Sequence, residues 1–194
     1  MRVLPLFPLG RPLFPGLRLD LQIFEQRYLK LVRACLREDS GFGICTIKSG
    51  SEVGGAANLY DCGTEVNIVD WNQLPNGLLG ITVEAAQRFS FSEPSADTDS
   101  LLTAEIDYFA AEDDASIPEW ASGLADIYEE LRLHPEVKKW LPNIEQVNSS
   151  GLGWGLSQVL PMCMDDRIKS FKIVASLDRL EFLAEHIQRL SEAN

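Results

Sequence analysis

Apolar and polar residues alternate near the start of the chain in a way that predicts a strand followed by a helix. Every second residue from 17 to 23 is apolar, which is typical of a strand with one buried face. The apolar spacing then changes to three and four residues over 28–36, which predicts an amphipathic helix. Pro8 and Pro15 fix φ and lack an N–H, so we expect them at strand edges or corners. Gly16, after Pro15, is predicted to complete a turn with a positive φ.

Further segments with strand-like patterns follow up to residue 110. They are 42–47, 58–71, 78–83, 87–91 and 101–110, of which 58–71 reads as either a strand pair or one bent strand. Gly41 is predicted to end the first helix, and Pro75-Asn76-Gly77 predicts a hairpin turn. Short strands separated by turn signals, with one early helix, favour a closed or nearly closed barrel.

The pattern becomes helical after an acidic linker at 111–115. Ser116 to Glu119 matches a capping box, and the helix it begins is predicted to end at His134-Pro135. Asp165 or Asp166 is predicted to cap a later helix, and Ser176 the last one. The stripes predicted to face inward are Trp120-Leu124-Ile127-Leu131, Ile168-Phe171-Ala175 and Leu180-Leu183-Ala184-Ile187-Leu190. We therefore predict an α+β fold, with a β-rich lobe at 1–110 and a helical bundle at 111–194.

Composition and charge narrow the class of protein. Hydrophobic residues make up 45% of the chain and charged residues 24%, which suits a globular protein with a substantial core. The net charge of −12 argues against nucleic-acid binding, because phosphates repel an acidic surface. No apolar stretch reaches the ~20 residues of a membrane helix, and Pro5 and Pro8 interrupt the only signal-peptide candidate. We therefore expect no membrane association and a cytoplasmic location.

Cysteines and a basic stripe need separate interpretation. The cysteines stand singly, without metal-ligand spacing, so we expect reduced thiols and neither a disulfide framework nor a zinc site. They are Cys35, Cys45, Cys62 and Cys163. Basic residues at helical spacing predict a solvated helix face, with docking of an acidic partner as the alternative. These residues are Arg27, Lys30, Arg33 and Arg37.

Motifs in order along the chain carry a family resemblance. The first are Leu4-Pro-Leu-Phe-Pro-Leu9, Leu13-Phe-Pro-Gly16 and Leu19-x-Leu21-x-Ile23-Phe-Glu-x-Arg-Tyr28. The later ones are Phe42-Gly43-Ile44, Gly63-Thr64-Glu65-Val66, Gln87-Arg88-Phe89 and Arg179-Leu180. Together they resemble the Lon protease N-terminal (substrate-binding) domain family over nearly the whole chain. Ala85 and Ala86 stand where that family usually has a glycine. The resemblance implies a PUA-like β-barrel followed by a helical bundle.

Catalytic machinery is missing from the sequence. Neither glycine-rich stretch has the Lys and Ser/Thr of a phosphate-binding loop. His134 and His186 stand alone, and neighbouring aspartates such as Asp165-Asp166 do not face each other on a helix. The Lon proteases that the chain resembles carry ATPase and Ser–Lys protease modules beyond this region, and neither follows Asn194. We therefore expect no catalytic residues, no metal and no cofactor.

The resemblance implies a non-catalytic module that binds polypeptide, either unfolded segments or a partner protein. We expect the site in a groove between the two lobes, beside an open strand edge. The candidate contacts are Phe7, Pro8, Phe14, Pro15, Glu25, Arg27, Arg88, Gly54 and Gly55. Glu25, Arg27 and Tyr28 also have a structural interpretation, as a helix start with a buried tyrosine. Arg88 is interpreted as an internal tie to Glu25 or Glu65, with a peptide anchor as the alternative.

Two other classes of function compete with this one. The chain could be an adaptor or regulator that acts with a separate protease or other machine. It could also be an enzyme that uses Glu25, Arg88 or Asp61 on a small molecule, for which a deep pocket with a pKa-shifted carboxylate would be the sign. Of the tryptophans, Trp71, Trp120 and Trp154 are predicted in the core and Trp140 at the surface. The oligomeric state, including a homo-oligomer, stays open.

Overall fold

A computed structural model describes residues 2–51, 58–112, 115–141 and 147–192. The chain divides into two compact units, Met1–Phe109 and Ala110–Asn194. The described strands all lie in the first unit together with one helix, and the other described helices lie in the second. Each unit has its own hydrophobic core. The architecture is thus mixed α and β, with strands and helices largely segregated along the chain, as the sequence predicts.

One seven-stranded sheet makes up most of the first unit. Its strands are β1 (Arg2–Leu9), β2 (Arg18–Ile23), β3 (Phe42–Ser49), β4 (Asn58–Gln73), β5 (Leu79–Phe91), β6 (Ser95–Ala96) and β7 (Leu102–Tyr108). Their order in the sheet is β2-β5-β4-β3-β1-β7-β6. β1 and β3 are parallel, and the other pairs are antiparallel. Because β5 also pairs with β7, hydrogen-bonded neighbours lead from β5 through β4, β3, β1 and β7 back to β5.

Two prolines lie inside β1, whereas we expected Pro8 at an edge or corner. β1 pairs with β7 over its first residues and with β3 over its last, and the neighbour changes at Leu6. Among the described strands, Pro5 therefore pairs only with β7, and Pro8 pairs only with β3. A residue with one neighbouring strand can lack its N–H without breaking the ladder. This staggered pairing explains how an internal strand tolerates two prolines.

The first helix, α1 (Gln26–Glu38), follows the predicted pattern, but its end does not. The residue in the left-handed conformation at the C-cap is Asp39, with φ of 50°, and not Gly41. Gly41 is required for a different reason: a Cβ at this position would lie 2.5 Å from the carbonyl oxygen of Val66. The glycine thus permits a close approach to β4.

The two longest strands are continuous. β4 is one strand with two irregularities in its register, so the bent-strand interpretation is correct. β5 joins the two segments that we predicted separately. Thr64 pairs with Arg88 and Val66 with Ala85, so two residues of β5 face the single Glu65 of β4. The two bulged residues are Ala86 and Gln87, so the bulge includes one of the two alanines, and the other, Ala85, keeps its pairing with Val66.

The second unit is helical. Its helices are α2 (Ser122–Arg132), α3 (Pro135–Lys138), α4 (Ser149–Val159), α5 (Met164–Lys172) and α6 (Ser176–Glu192), and a 3₁₀ turn at Glu119–Ala121 precedes them. The buried residues of its core are Ala121, Leu124, Tyr128, Leu141, Leu152, Leu156, Leu160, Leu180 and Leu183. The inward-facing residues here are thus Ala121 of the 3₁₀ turn and Leu124 and Tyr128 of α2, whereas Trp120 is 51% exposed.

Three predicted features of the helix starts are wrong. The capping box does not form: Pro118 precedes the 3₁₀ turn and provides no side-chain cap. α5 is capped by Cys163, whose Sγ accepts from the N–H of Asp166, and not by an aspartate. Ser176 is the first residue of α6 and not the residue before it. A different prediction, that Ala175 faces inward, is also wrong, because Ala175 is exposed.

A buried arginine ties the second unit together. Arg179 has no exposed side chain and forms an ion pair with Glu112. It also donates to the carbonyl oxygens of Ser170 and Ile173, and its guanidinium lies 3.2 Å from the ring centroid of Trp154. Burial lowers the pKa of Arg179, and the bonds to Glu112 oppose this shift. The arginine of the family motif is therefore a core residue of this unit.

None of the four cysteines, all of which the structure describes, forms a disulfide. Cys35, Cys45 and Cys62 are buried and Cys163 is exposed. Burial raises the pKa of Cys45 well above its ordinary value, and the neighbouring Cys62 adds to the shift. None of the helices in the described part of the chain is long and apolar enough to cross a bilayer.

Candidate functional site

The Pro-rich corner predicted as a contact surface is mostly interior. Phe14 and Pro8 are buried, and Phe7 packs against Tyr28 with ring centroids 4.2 Å apart. The N–H of Leu17 donates to the carbonyl of Phe14, and Gly16 has φ of 76°, which confirms the predicted turn with Pro15 at its second position. Phe7 thus supports α1 from within, and Pro15 is half-buried.

Glu25 and Arg27 bind each other at the start of α1. Their ion pair is 2.9 Å long, and the Arg27 guanidinium also lies 4.6 Å from the ring centroid of Tyr28. Arg27 further donates to the carbonyl oxygen of Ser100. Tyr28 is buried, as its structural interpretation predicts. These contacts hold the helix start in place, and they leave the two charged groups partly exposed.

The other predicted arginine, Arg88, is buried in β5 with its guanidinium 5.0 Å from the ring centroid of Phe109. Glu65, one of its two expected carboxylate partners, accepts from Arg2 and from the hydroxyl of Tyr108. Burial and the bond to Glu65 raise the pKa of Tyr108.

The remaining candidates are dispersed. Gly54 and Gly55 lie outside the described residues. Asp61, considered for an enzyme, is exposed on β4. Within the described part of the chain, no group of three or more His, Cys, Asp or Glu residues could hold a metal ion. The residues predicted from sequence therefore do not converge on one reactive centre.

An apolar groove in the first unit is a stronger candidate. It lies between α1 and the hairpin formed by β4 and β5, and has a volume of about 360 Å³. We call it the hairpin groove; its lining residues are Leu29, Val32, Arg33, Leu36, Trp71, Gln73, Gly77, Leu78 and Leu79. Gly77, with φ of 81°, closes the hairpin turn that the sequence predicts. One cation, Arg33, stands among mostly apolar side chains.

Large apolar side chains around this groove are in solvent. Trp71 is 60% exposed, Leu36 44% and the neighbouring Val69 45%. Trp71 was predicted in the core, and this prediction is wrong; Trp154 is buried and Trp140 is at the surface, as expected. Exposed apolar side chains grouped around a concave surface are typical of interaction sites.

An unpaired strand edge borders the groove. β4 pairs with β3 only as far as Val66, but with β5 as far as Gln73. Among the described residues, segment 67–73 therefore has a neighbouring strand on one side only, and 69–73 is exposed throughout. The N–H of Trp71 donates to the carboxylate Oδ1 of Asp70 at 2.8 Å. Of the strands that the structure describes, β2 pairs with β5 alone and gives the sheet a second open edge.

A second concave surface is lined by residues of β2, β4 and β5 and of the turn after β4. We call it the polar cleft; it has a volume of about 380 Å³ and is lined by Asp20, Leu21, Gln22, Asp70, Trp71, Asn72, Leu74, Gly80, Ile81 and Thr82. Asp20 accepts a hydrogen bond from the Thr82 hydroxyl at 2.6 Å. A Cβ at Gly80 would lie 2.6 Å from Oδ1 of Asn72, so this glycine keeps the floor of the cleft open.

Sequence patterns did not identify the hairpin groove. One usable signal was present: Trp71 and the pair Leu78-Leu79 flank the Pro75-Asn76-Gly77 turn. Apolar residues this close to a hairpin tip have few local neighbours that could cover them. Whether they are covered depends on α1, more than 30 residues earlier in the chain than Trp71.

The chain is similar to known proteins over nearly its whole length. The family model of the ATP-dependent protease La (LON) substrate-binding domain matches residues 3–189. The crystal structure of a Lon N-terminal domain protein from Xanthomonas campestris is 29% identical, with a TM-score of 0.79, over 95% of this chain and 98% of that chain. The N-terminal domain of a Mycobacterium avium complex Lon protease is 13% identical with a TM-score of 0.63, over 95% and 97% of the two chains, and is similar in fold.

Curated relatives are much longer proteins. Lon protease 1 of Hydrogenovibrio crunogenus is 23% identical over 182 residues, which are 90% of this chain and 22% of the protease. The Lon protease of Treponema pallidum is 34% identical over 86 residues, which are 43% of this chain and 10% of the protease. The matched part of this chain thus corresponds to less than a quarter of either protease.

Proposed function

Because this chain belongs to the ATP-dependent protease La (LON) substrate-binding domain family, as its motifs predicted, we propose that it binds extended polypeptide in the hairpin groove. The observation that carries this proposal is the combination of exposed apolar side chains with an unpaired strand edge at 67–73. Polypeptide is the ligand that can use both features at once.

Each feature contributes a different part of the binding. An added strand forms main-chain hydrogen bonds with an open edge irrespective of its sequence, and side-chain pockets beside the edge provide preference. Apolar side chains of the bound polypeptide would enter the hairpin groove, where Trp71 and Leu36 both line the surface. Trp71 is the expected anchor, because large aromatic residues in pockets often dominate the energy of an interface.

Several residues predicted as contacts fit a supporting role. Phe7 packs on Tyr28 of α1, so the Pro-rich corner helps to fix the helix that forms one wall of the groove. Glu25 and Arg27 hold the start of the same helix. Direct contacts from Arg88, Pro15, Gly54 and Gly55 stay predictions.

We also propose that this chain binds polypeptide without catalysing a reaction. We propose that its fold is a PUA-like barrel followed by a helical bundle, with the boundary between the two lobes near residue 110. The return of strand pairing from β7 to β5 supports the barrel, and the shared core of the later helices supports the bundle. The match to a substrate-binding domain over residues 3–189 supports a binding module. We expect the purified chain to hydrolyse neither ATP nor peptide bonds.

The direct test is a titration with a permanently unfolded polypeptide. Fluorescein-labelled lysozyme, reduced and carboxamidomethylated, should bind the full chain with a Kd of about 10–100 µM in an anisotropy titration. Trp71→Ala should weaken binding about thirtyfold, equivalent to about 2 kcal/mol for a central aromatic anchor. Trp120→Ala is the matched control, because Trp120 is similarly exposed and lies outside the groove.

The outcomes separate the alternatives. Absence of saturable binding, or equal weakening by the two tryptophan variants, would contradict the proposal. A Trp71-dependent complex with a folded partner, without affinity for the unfolded probe, would favour the adaptor alternative. Turnover of ATP or peptide by the pure chain would favour an enzyme.

A further inference from the structure

The hairpin groove and the polar cleft adjoin at Trp71, which lines both, in the segment where β2, β5 and β4 pair. Residues directly opposite each other on paired strands share a face, and successive residues alternate between faces. Leu21, Ile81 and Trp71 form one such row across β2, β5 and β4. The adjacent row consists of Asp20, Thr82 and Asp70, on the opposite face. The row that contains Trp71 is therefore apolar, and the adjacent row contains two carboxylates; the polar cleft includes residues of both rows.

The polar cleft suits a cation. Asp20 and Asp70 flank Thr82 from the two neighbouring strands, and none of the described residues that line the cleft is basic. Each of these two carboxylates accepts a hydrogen bond at Oδ1, from Thr82 or from the N–H of Trp71. A carboxylate has a second oxygen that can accept from an ammonium or guanidinium group.

A strand added at 67–73 would face both surfaces at once. Its side chains would alternate between the apolar face beside Trp71 and the acidic face beside Asp70. Because opposite charges on neighbouring strands attract and like charges repel, basic residues are favoured on the acidic face. The net charge of −12 also favours the approach of a basic segment.

We propose that the polypeptide selected by this site is an extended segment in which apolar residues alternate with Lys or Arg. The apolar residues enter the hairpin groove, and a basic side chain enters the polar cleft. This inference rests on the proposed function and specifies its substrate class.

Two peptides of equal length test the alternation. One carries apolar residues alternating with Lys and Arg, and the other has Gln at each basic position. At low ionic strength the basic peptide should bind about tenfold more tightly, from about threefold for each exposed charge pair. The difference should largely disappear at about 0.5 M salt, where exposed charge pairs are screened.

Substitutions in the polar cleft test whether its carboxylates cause the preference for the basic peptide. The double variant Asp20→Asn with Asp70→Asn removes both charges but keeps an Oδ1 acceptor for Thr82 and for the N–H of Trp71, so it should fold normally. It should bind the basic and the Gln peptides with affinities within about twofold. Glu105→Gln removes an exposed charge on β7, away from the cleft, and should preserve most of the discrimination.

The results distinguish this inference from the proposed function. If the Gln peptide binds in a Trp71-dependent manner and the basic peptide binds no better, the inference is overturned and groove binding stands. Discrimination that survives in the double aspartate variant also overturns it. If neither peptide binds, both proposals fail.

Discussion

Two five-residue segments of β4 pair with the same neighbour, β5, but have opposite surroundings; we call residues 62–66 the buried half and residues 69–73 the exposed half. Residues 62–66 are all buried, between β3 and β5. Residues 69–73 are all exposed, with β5 as their only paired strand among the described residues. The difference shows that burial in this strand is decided by the second neighbour and not by the strand pattern itself.

The residue types of the two halves fit these surroundings. Gly63 and Thr64 in the buried half are small, and Phe89 lies close to Gly63. Trp71 in the exposed half is large and apolar, yet it is 60% exposed. A close-packed half serves stability, whereas an exposed aromatic beside an open edge serves binding. Substitutions in the two halves should therefore separate stability from affinity.

The largest effect is expected from Gly63→Ala. The new Cβ would lie 2.5 Å from the carbonyl oxygen of Ile44 and 2.8 Å from Sγ of Cys45. Because a backbone atom cannot move aside easily, the free energy of unfolding should fall by about 3 kcal/mol. Chemical denaturation followed by circular dichroism measures this change.

The control for this substitution is Gly123→Ala in α2. A Cβ at Gly123 would have no neighbour within 4 Å. Alanine should stabilise the helix by about 0.5–1 kcal/mol, because it has the higher helix propensity. An equal loss of stability in the two variants would contradict the close packing of the buried half.

A smaller loss is expected from Thr64→Val. The Thr64 hydroxyl is buried and donates to the carbonyl oxygen of Leu13 at 2.6 Å. Valine leaves that carbonyl without this donor, which should lower the free energy of unfolding by about 1–3 kcal/mol. The matched change Thr82→Val removes an exposed hydrogen bond to Asp20 and should cost less than about 0.5 kcal/mol. Denaturation curves that rank the two variants in the opposite order would contradict the comparison.

The smallest change in stability is expected from Trp71→Ala. Because its side chain is largely in solvent, the free energy of unfolding should stay within about 0.5 kcal/mol of the original value. A stability loss above about 2 kcal/mol would show that Trp71 is a core residue after all.

The sequence predicted much of the fold because local rules decide it. The apolar period of α1 and the Pro15-Gly16 turn need only neighbouring residues, and both are confirmed. The capping box failed because Ser116 lies two residues before the N-cap, Pro118. Pro8 was misplaced because the staggered pairing of β1 depends on strands that lie far away in sequence.

The candidate site was harder to predict than the fold. An aromatic residue in a strand is usually buried, so Trp71 was assigned to the core. The alternation of apolar and polar residues in the sequence is the same whether the apolar side chains are covered by another element or exposed to solvent. Only the end of the β3 pairing at Val66 and the position of α1 leave Trp71 exposed, and both are tertiary features. Phe14 shows the opposite case: we predicted it as a contact at the Pro-rich corner, and it is fully buried.

Hydrogen–deuterium exchange of the full chain, with and without the unfolded probe, tests the central claim most directly. Strand addition at the open edge would bond outward-facing amides of 67–73 to the bound polypeptide. Exchange should therefore slow in 67–73 and stay unchanged in 62–66, whose amides are already buried between two strands. Binding that slows exchange elsewhere, and leaves 67–73 as fast as in the free chain, would contradict the account.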